Sequence, residues 1–74
     1  MNLATAKTLL DALEESPQHV QLHYGELERL IATCMDTIFE LSLSSEDNDR
    51  KMALVAVEYR ARLLLERYKK LTMN

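Results

Sequence analysis

Residues 46–74 carry apolar side chains on two opposite sides of one predicted helix. One stripe consists of Leu54, Val57, Ala61, Leu64, Tyr68 and Leu71, spaced three and four residues apart. The other consists of Met52, Val55, Ala56, Tyr59 and Leu63. At about 100° per residue the two stripes lie roughly half a turn apart. Because a surface helix needs only one apolar stripe, a helix with two requires neighbours on both sides.

Composition restricts the fold to helices. The chain has one Gly and one Pro, too few chain breakers for a many-stranded β fold, and it is rich in residues that favour helix. Hydrophobic residues make up 47%, which excludes compositional disorder. A chain of 74 residues is one domain near the size at which a single core is marginal. In so short a chain, the second neighbour of the doubly apolar helix is expected to be another molecule.

The first helix is predicted over residues 3–15, with Asn2 as its N-cap. Its apolar residues fall on one side at helical spacing: Leu3, Ala6, Leu9, Leu10 and Leu13. Ser16 and Pro17 mark the clearest break, since Ser suits an N-cap and Pro suits the first helical position. A helix this short is not stable alone, so it must either dock or fray.

The second helix is predicted over residues 17–43. After Val20 and Leu22, its apolar seam comprises Leu27, Leu30, Cys34, Ile38 and Leu41, and is widened by Ile31, Met35 and Phe39. The second helix therefore also shows more apolar surface than one neighbour needs. Gly25 is interpreted as a tolerated helical glycine, with a kink or a close backbone approach as the alternative.

A short polar turn separates the second helix from the third, which is predicted over residues 46–71. Within the turn, Ser44 followed by Asp47 resembles a capping box. Two long helices of similar length around a short turn favour antiparallel pairing. The predicted fold is all-α: an antiparallel hairpin of two long helices with a short N-terminal helix covering part of it.

Charge is distributed unevenly along the chain. Residues 1–45 carry two bases and seven acids, whereas residues 46–74 carry seven bases and five acids. The bases near the end of the third helix are explained by favourable interaction with the helix dipole. Acidic residues interrupt the basic surface of this helix, which argues against nucleic-acid binding. A single cysteine favours a reducing compartment, and no signal peptide or membrane span is visible. The expected location is cytoplasmic.

Candidate sites for chemistry are weak. His19 and His23 stand four apart with Glu26 one turn later, a spacing compatible with two metal ligands on one helix face, but solvated histidines are the simpler interpretation. Cys34 lies in an apolar seam, where a free cysteine behaves as a small hydrophobe. Glu14, Glu15, Glu26 and Glu28 lack a visible pocket to shift their pKa values. No enzyme activity, catalytic residue, cofactor or metal is predicted.

Partner binding is the function that the two stripes favour. Met52, Val55, Ala56, Tyr59 and Leu63 are predicted to face a protein partner, with the longer stripe against the second helix. The reverse assignment stays open, because the longer stripe can equally serve the partner. The leading hypothesis is a helical adaptor or co-chaperone that buries an apolar helix face against a helix of its partner. The alternatives are a homodimer with a structural role and a small DNA-binding or transcription-modulating helical protein.

The chain resembles the small co-chaperones of type III secretion needle subunits, the YscE-like family. The resemblance rests on total length, two long helices around a polar turn, the segment Leu27-Glu28-Arg29-Leu30, and the Ala/Leu-rich helix from Met52 to Leu71. It covers residues 18–71, and the segment before Pro17 departs from the simple hairpin. It implies a cytoplasmic bacterial protein without catalytic activity, paired with a larger helical-repeat chaperone that helps to hold the needle subunit unpolymerised. It transfers no individual binding residue.

Overall fold

The computed structural model describes residues 3–43 and 48–72. Its elements are α1 (Leu3–Glu15), a 3-10 helix (Pro17–His23), α2 (Tyr24–Leu43) and α3 (Asn48–Thr72). These two ranges contain helices and no strand, so the all-α prediction is confirmed. The bounds of α1 agree with the predicted first helix. The predicted N-cap Asn2, the predicted capping box of Ser44 and Asp47, and the predicted helix start at 46 lie outside the described residues.

The hydrophobic core forms where α3 meets the other three elements. Its buried residues are Ala6, Leu10, Leu13, Val20, Leu27, Leu30, Cys34, Leu54, Val57, Ala61 and Leu64. Every element therefore contributes to one core, and α3 packs against α1, the 3-10 helix and α2. The longer stripe of α3 supplies its share of this core, as Leu54 through Leu64 show. The longer stripe is therefore the internal one, which is one of the two arrangements that the sequence leaves open.

The inner stripe of α3 ends earlier than predicted. Tyr68 is half-buried, and its ring lies 5.9 Å from that of Tyr24 at an interplanar angle of 59°, a tilted aromatic pair. Leu71 is 62% exposed, so its assignment to the inner stripe is wrong. The reason is length: α2 begins at Tyr24, opposite Tyr68, and α3 continues for another turn beyond that contact.

Contacts between α2 and α3 follow a consistent order along both helices. The start of α2 meets the end of α3 through the two tyrosine rings, and midway along, Arg62 Nη2 lies 3.1 Å from Met35 Sδ. This order is compatible with the antiparallel arrangement that the sequence predicts. The resulting molecule is elongated, with principal extents of 44 × 21 × 16 Å.

Residues 17–23 are not the first turns of a long α-helix, so the prediction of one α-helix over 17–43 is wrong there. They form a 3-10 helix, which begins with a hydrogen bond from the His19 amide to the Ser16 carbonyl at 2.9 Å. A 3-10 helix has three residues per turn, so Pro17, Val20 and His23 share one side. Val20 is fully buried on that side, whereas Leu22, predicted as part of the apolar series, is exposed. Val20 thus joins the core from a 3-10 helix and not from the predicted α-helix.

The structure also bears on two local predictions around this segment. Ser16 occupies the N-cap position and Pro17 begins the element, as predicted, but the Ser16 side chain makes no capping hydrogen bond. The Ser16 amide instead donates to the Ala12 carbonyl at 3.2 Å, which extends the hydrogen bonding of α1. At Gly25, a built Cβ would meet nothing within 4 Å, so no close approach requires glycine there. The interpretation of Gly25 as a tolerated helical glycine fits this open space.

Arg60 on α3 holds α1 in place from outside the core. Its Nε and Nη2 donate to the two carboxylate oxygens of Glu14 at 3.1 and 2.6 Å, and Nη2 also donates to Asp11. Such a paired geometry is the strongest form of the Arg–carboxylate interaction. Together with the buried Ala6, Leu10 and Leu13, this ion-pair cluster shows that α1 docks.

We expect the Arg60–Glu14 pair to make stability depend on pH. Hydrogen bonding to Arg60 holds the pKa of the Glu14 carboxyl below its ordinary value of 4.5. Because the folded-state pKa is the lower one, the stabilisation is present above pH 4.5 and is lost as the pH falls through the folded-state pKa. Both side chains are partly solvated, so the loss should stay below about 1 kcal/mol.

Chemical denaturation between about pH 6 and pH 3 measures this effect. Arg60→Gln should flatten the dependence of the unfolding free energy on pH in that range. Lys70→Gln, which removes a positive charge from an exposed site further along α3, is the matched control and should behave like the wild type. An unchanged acid slope in Arg60→Gln would show that the pair contributes nothing to folding.

Candidate protein interface

The second stripe of α3 lies on the side of the helix that faces away from the core. Tyr59 and Met52 are 62% and 59% exposed, and Val55 is 37% exposed. Ala56 is also exposed, whereas Leu63 is half-buried. The structure therefore leaves most of the stripe uncovered by the rest of the described chain. Its partner-binding role stays a prediction, with Leu63 at its margin.

Exposed apolar side chains also lie on α2. Met35 is 49% exposed and Phe39 is 66% exposed, and they stand four residues apart, on one side of the helix. Ile31, one turn before Met35, is instead half-buried against the core. Of the three residues that widen the seam of α2, Ile31 packs against the core, whereas Met35 and Phe39 face solvent. Sequence spacing signals the excess apolar surface of α2 but does not say which residues are left outside.

Arg62 connects the exposed side chains of the two helices. Its Nη2 donates to Glu58 Oε1 at 3.1 Å, one turn earlier on α3, and lies 3.1 Å from Met35 Sδ on α2. Because sulfur is a weak acceptor, this contact shows that Arg62 and Met35 are neighbours but contributes little to the free energy of folding. The charge of Arg62 is compensated by Glu58, which leaves the adjoining apolar side chains beside a neutral pair.

Cys34 is buried in the core, as predicted for a small hydrophobe in the seam. Burial raises the pKa of its thiol, and the nearby Glu58 carboxylate raises it further. A nucleophilic cysteine needs the opposite change, because the thiolate is the reactive form. The arrangement around Cys34 therefore suits packing and not covalent catalysis.

The predicted histidine pair does not share a helix face. His19 and His23 lie in the 3-10 helix, where residues four apart are separated by about 120° around the axis. His23 Nδ1 lies 3.2 Å from Glu26 Oε1, a local contact with the first turn of α2. Within residues 3–43 and 48–72, no group of three or more His, Cys, Asp or Glu side chains is placed to hold a metal ion.

The acidic residues considered for acid–base chemistry are not gathered into one site. Glu14 pairs with Arg60 and Glu26 contacts His23, while Glu15 and Glu28 are exposed on α1 and α2. The α1–α3 ion pairs are the polar feature that sequence reasoning misses. The spacing of Asp11 and Glu14, three residues apart on one side of α1, is the only sequence signal for them, and it does not identify Arg60 as the partner.

No protein-family model, curated protein or solved structure matches the chain. Among the described helices, none combines the length and the apolar character needed to cross a lipid bilayer.

Proposed function

We propose that the chain is a non-catalytic helical adaptor or co-chaperone that buries an apolar surface against a helix of a partner protein. The proposed surface, here called the apolar face, consists of Met35 and Phe39 on α2 and of Met52, Val55 and Tyr59 on α3. The single observation that carries the proposal is that these large side chains remain substantially exposed after the core has formed.

The two halves of the apolar face are continuous if α2 and α3 form an antiparallel hairpin, which is part of the proposal. Arg62 already places Met35 beside α3. In an antiparallel pair, the next turn of α2 carries Phe39 toward Glu58, and the turn after Glu58 in the same direction carries Val55. The face then extends from α2, past the Arg62–Glu58 pair, onto the outward side of α3, where an amphipathic partner helix can lie across it.

Burial of this face supplies enough free energy for a stable complex. Each large apolar side chain contributes about 1.5–3 kcal/mol when it is fully buried, before ordering costs are subtracted. Tyr59 has an apolar ring with a polar tip, which suits the edge of an interface. The two methionines adapt their shape to a partner surface. An exposed apolar surface of this kind promotes aggregation, so a partner that covers it permanently accounts for it better than exposure to water does.

The chemistry of the described residues favours binding over catalysis and over nucleic-acid recognition. Arg60 is paired with Asp11 and Glu14, and Arg62 with Glu58, so two bases near the middle of α3 are compensated within the chain. A phosphate-binding surface instead needs uncompensated bases in a cluster. The raised pKa of Cys34 opposes a nucleophilic role.

The resemblance to type III needle-subunit co-chaperones gives the proposal its most specific form. In that form, the protein acts in the bacterial cytoplasm, its partner is a larger helical-repeat chaperone, and the pair keeps a needle subunit unpolymerised. A homodimer formed through the same face is the second candidate, because one apolar face can also bind its own copy across a two-fold axis.

Site-specific photocross-linking in the native cell tests the proposal. A p-benzoylphenylalanine placed at Tyr59, or at Phe39, should cross-link to one and the same protein. The same residue placed at Thr8, which is exposed on α1, is the control and should not. Co-expression with the cross-linked protein should then give a soluble complex of defined mass by light scattering. A cross-link to a second copy of this chain would replace the proposal with the homodimer, and equal cross-linking at all three positions would refute it.

A further inference from the structure

A groove lies between the first half of α1 and one side of α2, and it has the size of a small-molecule site. It has a volume of about 510 Å³ and is open to solvent along one side. This volume falls within the range of about 300–1,000 Å³ that is typical of ligand pockets. The groove arises because α1 packs against α3 and the 3-10 helix, which leaves a gap between α1 and α2.

The inner surface of the groove is apolar. Its side chains come from three helices: Leu3 and Ala6 from α1, Leu30 and Cys34 from α2, and Leu54 from α3. Ala6, Leu30 and Cys34 are also core residues, so the floor is held by the fold itself. A floor of this kind favours a hydrocarbon chain and offers no charged partner to a polar ligand.

The rim of the groove carries a net positive charge, since Arg29 and Arg50 stand there with one acid, Glu26. Arg29 lines it and forms no ion pair with any residue in the described ranges. Arg50, also on the rim, already takes part in an interaction within the chain, and the Glu26 carboxylate contacts His23. A guanidinium that forms no ion pair within the described ranges therefore stands at the mouth of an apolar groove. A carboxylate matches the planar fork of a guanidinium.

We propose that this groove binds a single-chain anionic amphiphile, with its hydrocarbon chain along the floor and its carboxylate on Arg29. The apolar face proposed for protein binding is a separate surface. Thr33, in the groove, and Met35, in the apolar face, are two residues apart and therefore lie on nearly opposite sides of α2. The inference does not depend on the proposed adaptor function.

Calorimetric titration of the full chain with dodecanoate, dodecanol and dodecyltrimethylammonium tests the proposal. The three ligands share one chain and differ in head-group charge. Dodecanoate should bind saturably at one site per chain and more tightly than the alcohol or the cation. Arg29→Gln should weaken dodecanoate binding by about fivefold, as expected for a partly solvated ion pair, and leave dodecanol binding unchanged.

Three further variants separate the groove from adsorption elsewhere. Thr33→Phe, at an exposed position on the groove wall, should fill the groove and weaken both dodecanoate and dodecanol binding. Arg67→Gln makes the same change as Arg29→Gln outside the groove, and Phe39→Gln removes an apolar side chain from the other surface; neither should change the affinity. Equal binding of the three ligands, or equal affinities of Arg29→Gln and the wild type, would overturn the proposal. Loss of binding in Phe39→Gln would do the same.

Discussion

Leu64→Ala is expected to lower the free energy of unfolding by about 3 kcal/mol, within the range measured for truncation of buried leucines. Leu64 is 1% exposed and belongs to the stripe of α3 that packs into the core. A domain of this size has a total stability of only about 4–11 kcal/mol, so the loss is a large fraction of it. For a chain of this length, the midpoint of thermal unfolding should fall by about 15 °C.

Leu71→Ala is the matched control for this prediction. It makes the same substitution in the same predicted stripe, two turns further along α3, at a side chain that is 62% exposed. Its cost should stay below about 0.5 kcal/mol. Urea denaturation followed by circular dichroism measures both variants. Similar losses in the two would mean that α3 is buried to its end, contrary to the structure.

Much of the fold follows from helical periodicity. The bounds of α1 and the inner positions of α3 from Leu54 to Leu64 are predicted correctly, because long apolar series at helical spacing leave few alternatives. The 3-10 segment is not predicted, since one buried apolar residue, Val20, does not distinguish a 3-10 helix from an α-helix in the sequence. Leu71 is misassigned because the apolar periodicity of α3 continues past Tyr68, whereas α2 begins at Tyr24, opposite Tyr68, and has no residue that can cover Leu71.

The candidate interface is predictable in outline and not in detail. Two stripes on α3 are visible in the sequence, but their spacing is similar, so only the packed structure shows which one is covered. Whether Met35 and Phe39 belong to the outside depends on how α2 is rotated about its axis, which no local pattern fixes. The pairing of Arg60 with Glu14 joins residues 46 positions apart, and the chain offers several other acids. Polar partners this far apart in sequence can be identified only from the three-dimensional structure.

Met52→Glu combined with Tyr59→Glu is expected to abolish formation of the partner complex while leaving the protein folded. The two residues lie seven apart, on one side of α3, and each is more than half exposed, so charge is tolerated there in the free chain. In the complex, both carboxylates would be buried without a partner, which costs several kcal/mol for each. Since a micromolar complex has only about 8 kcal/mol of binding free energy, binding should become undetectable.

The control must carry the same added charge on another surface. Ala4→Glu combined with Ala12→Glu places two carboxylates at exposed positions of α1, away from the apolar face, and should bind like the wild type. Co-purification measures the complex, and circular dichroism confirms that both double variants keep their helices. If both variants lose binding equally, net charge and not the apolar face controls association. If the Met52/Tyr59 variant retains binding, the partner contacts a different surface, and the exposed stripe of α3 needs another explanation.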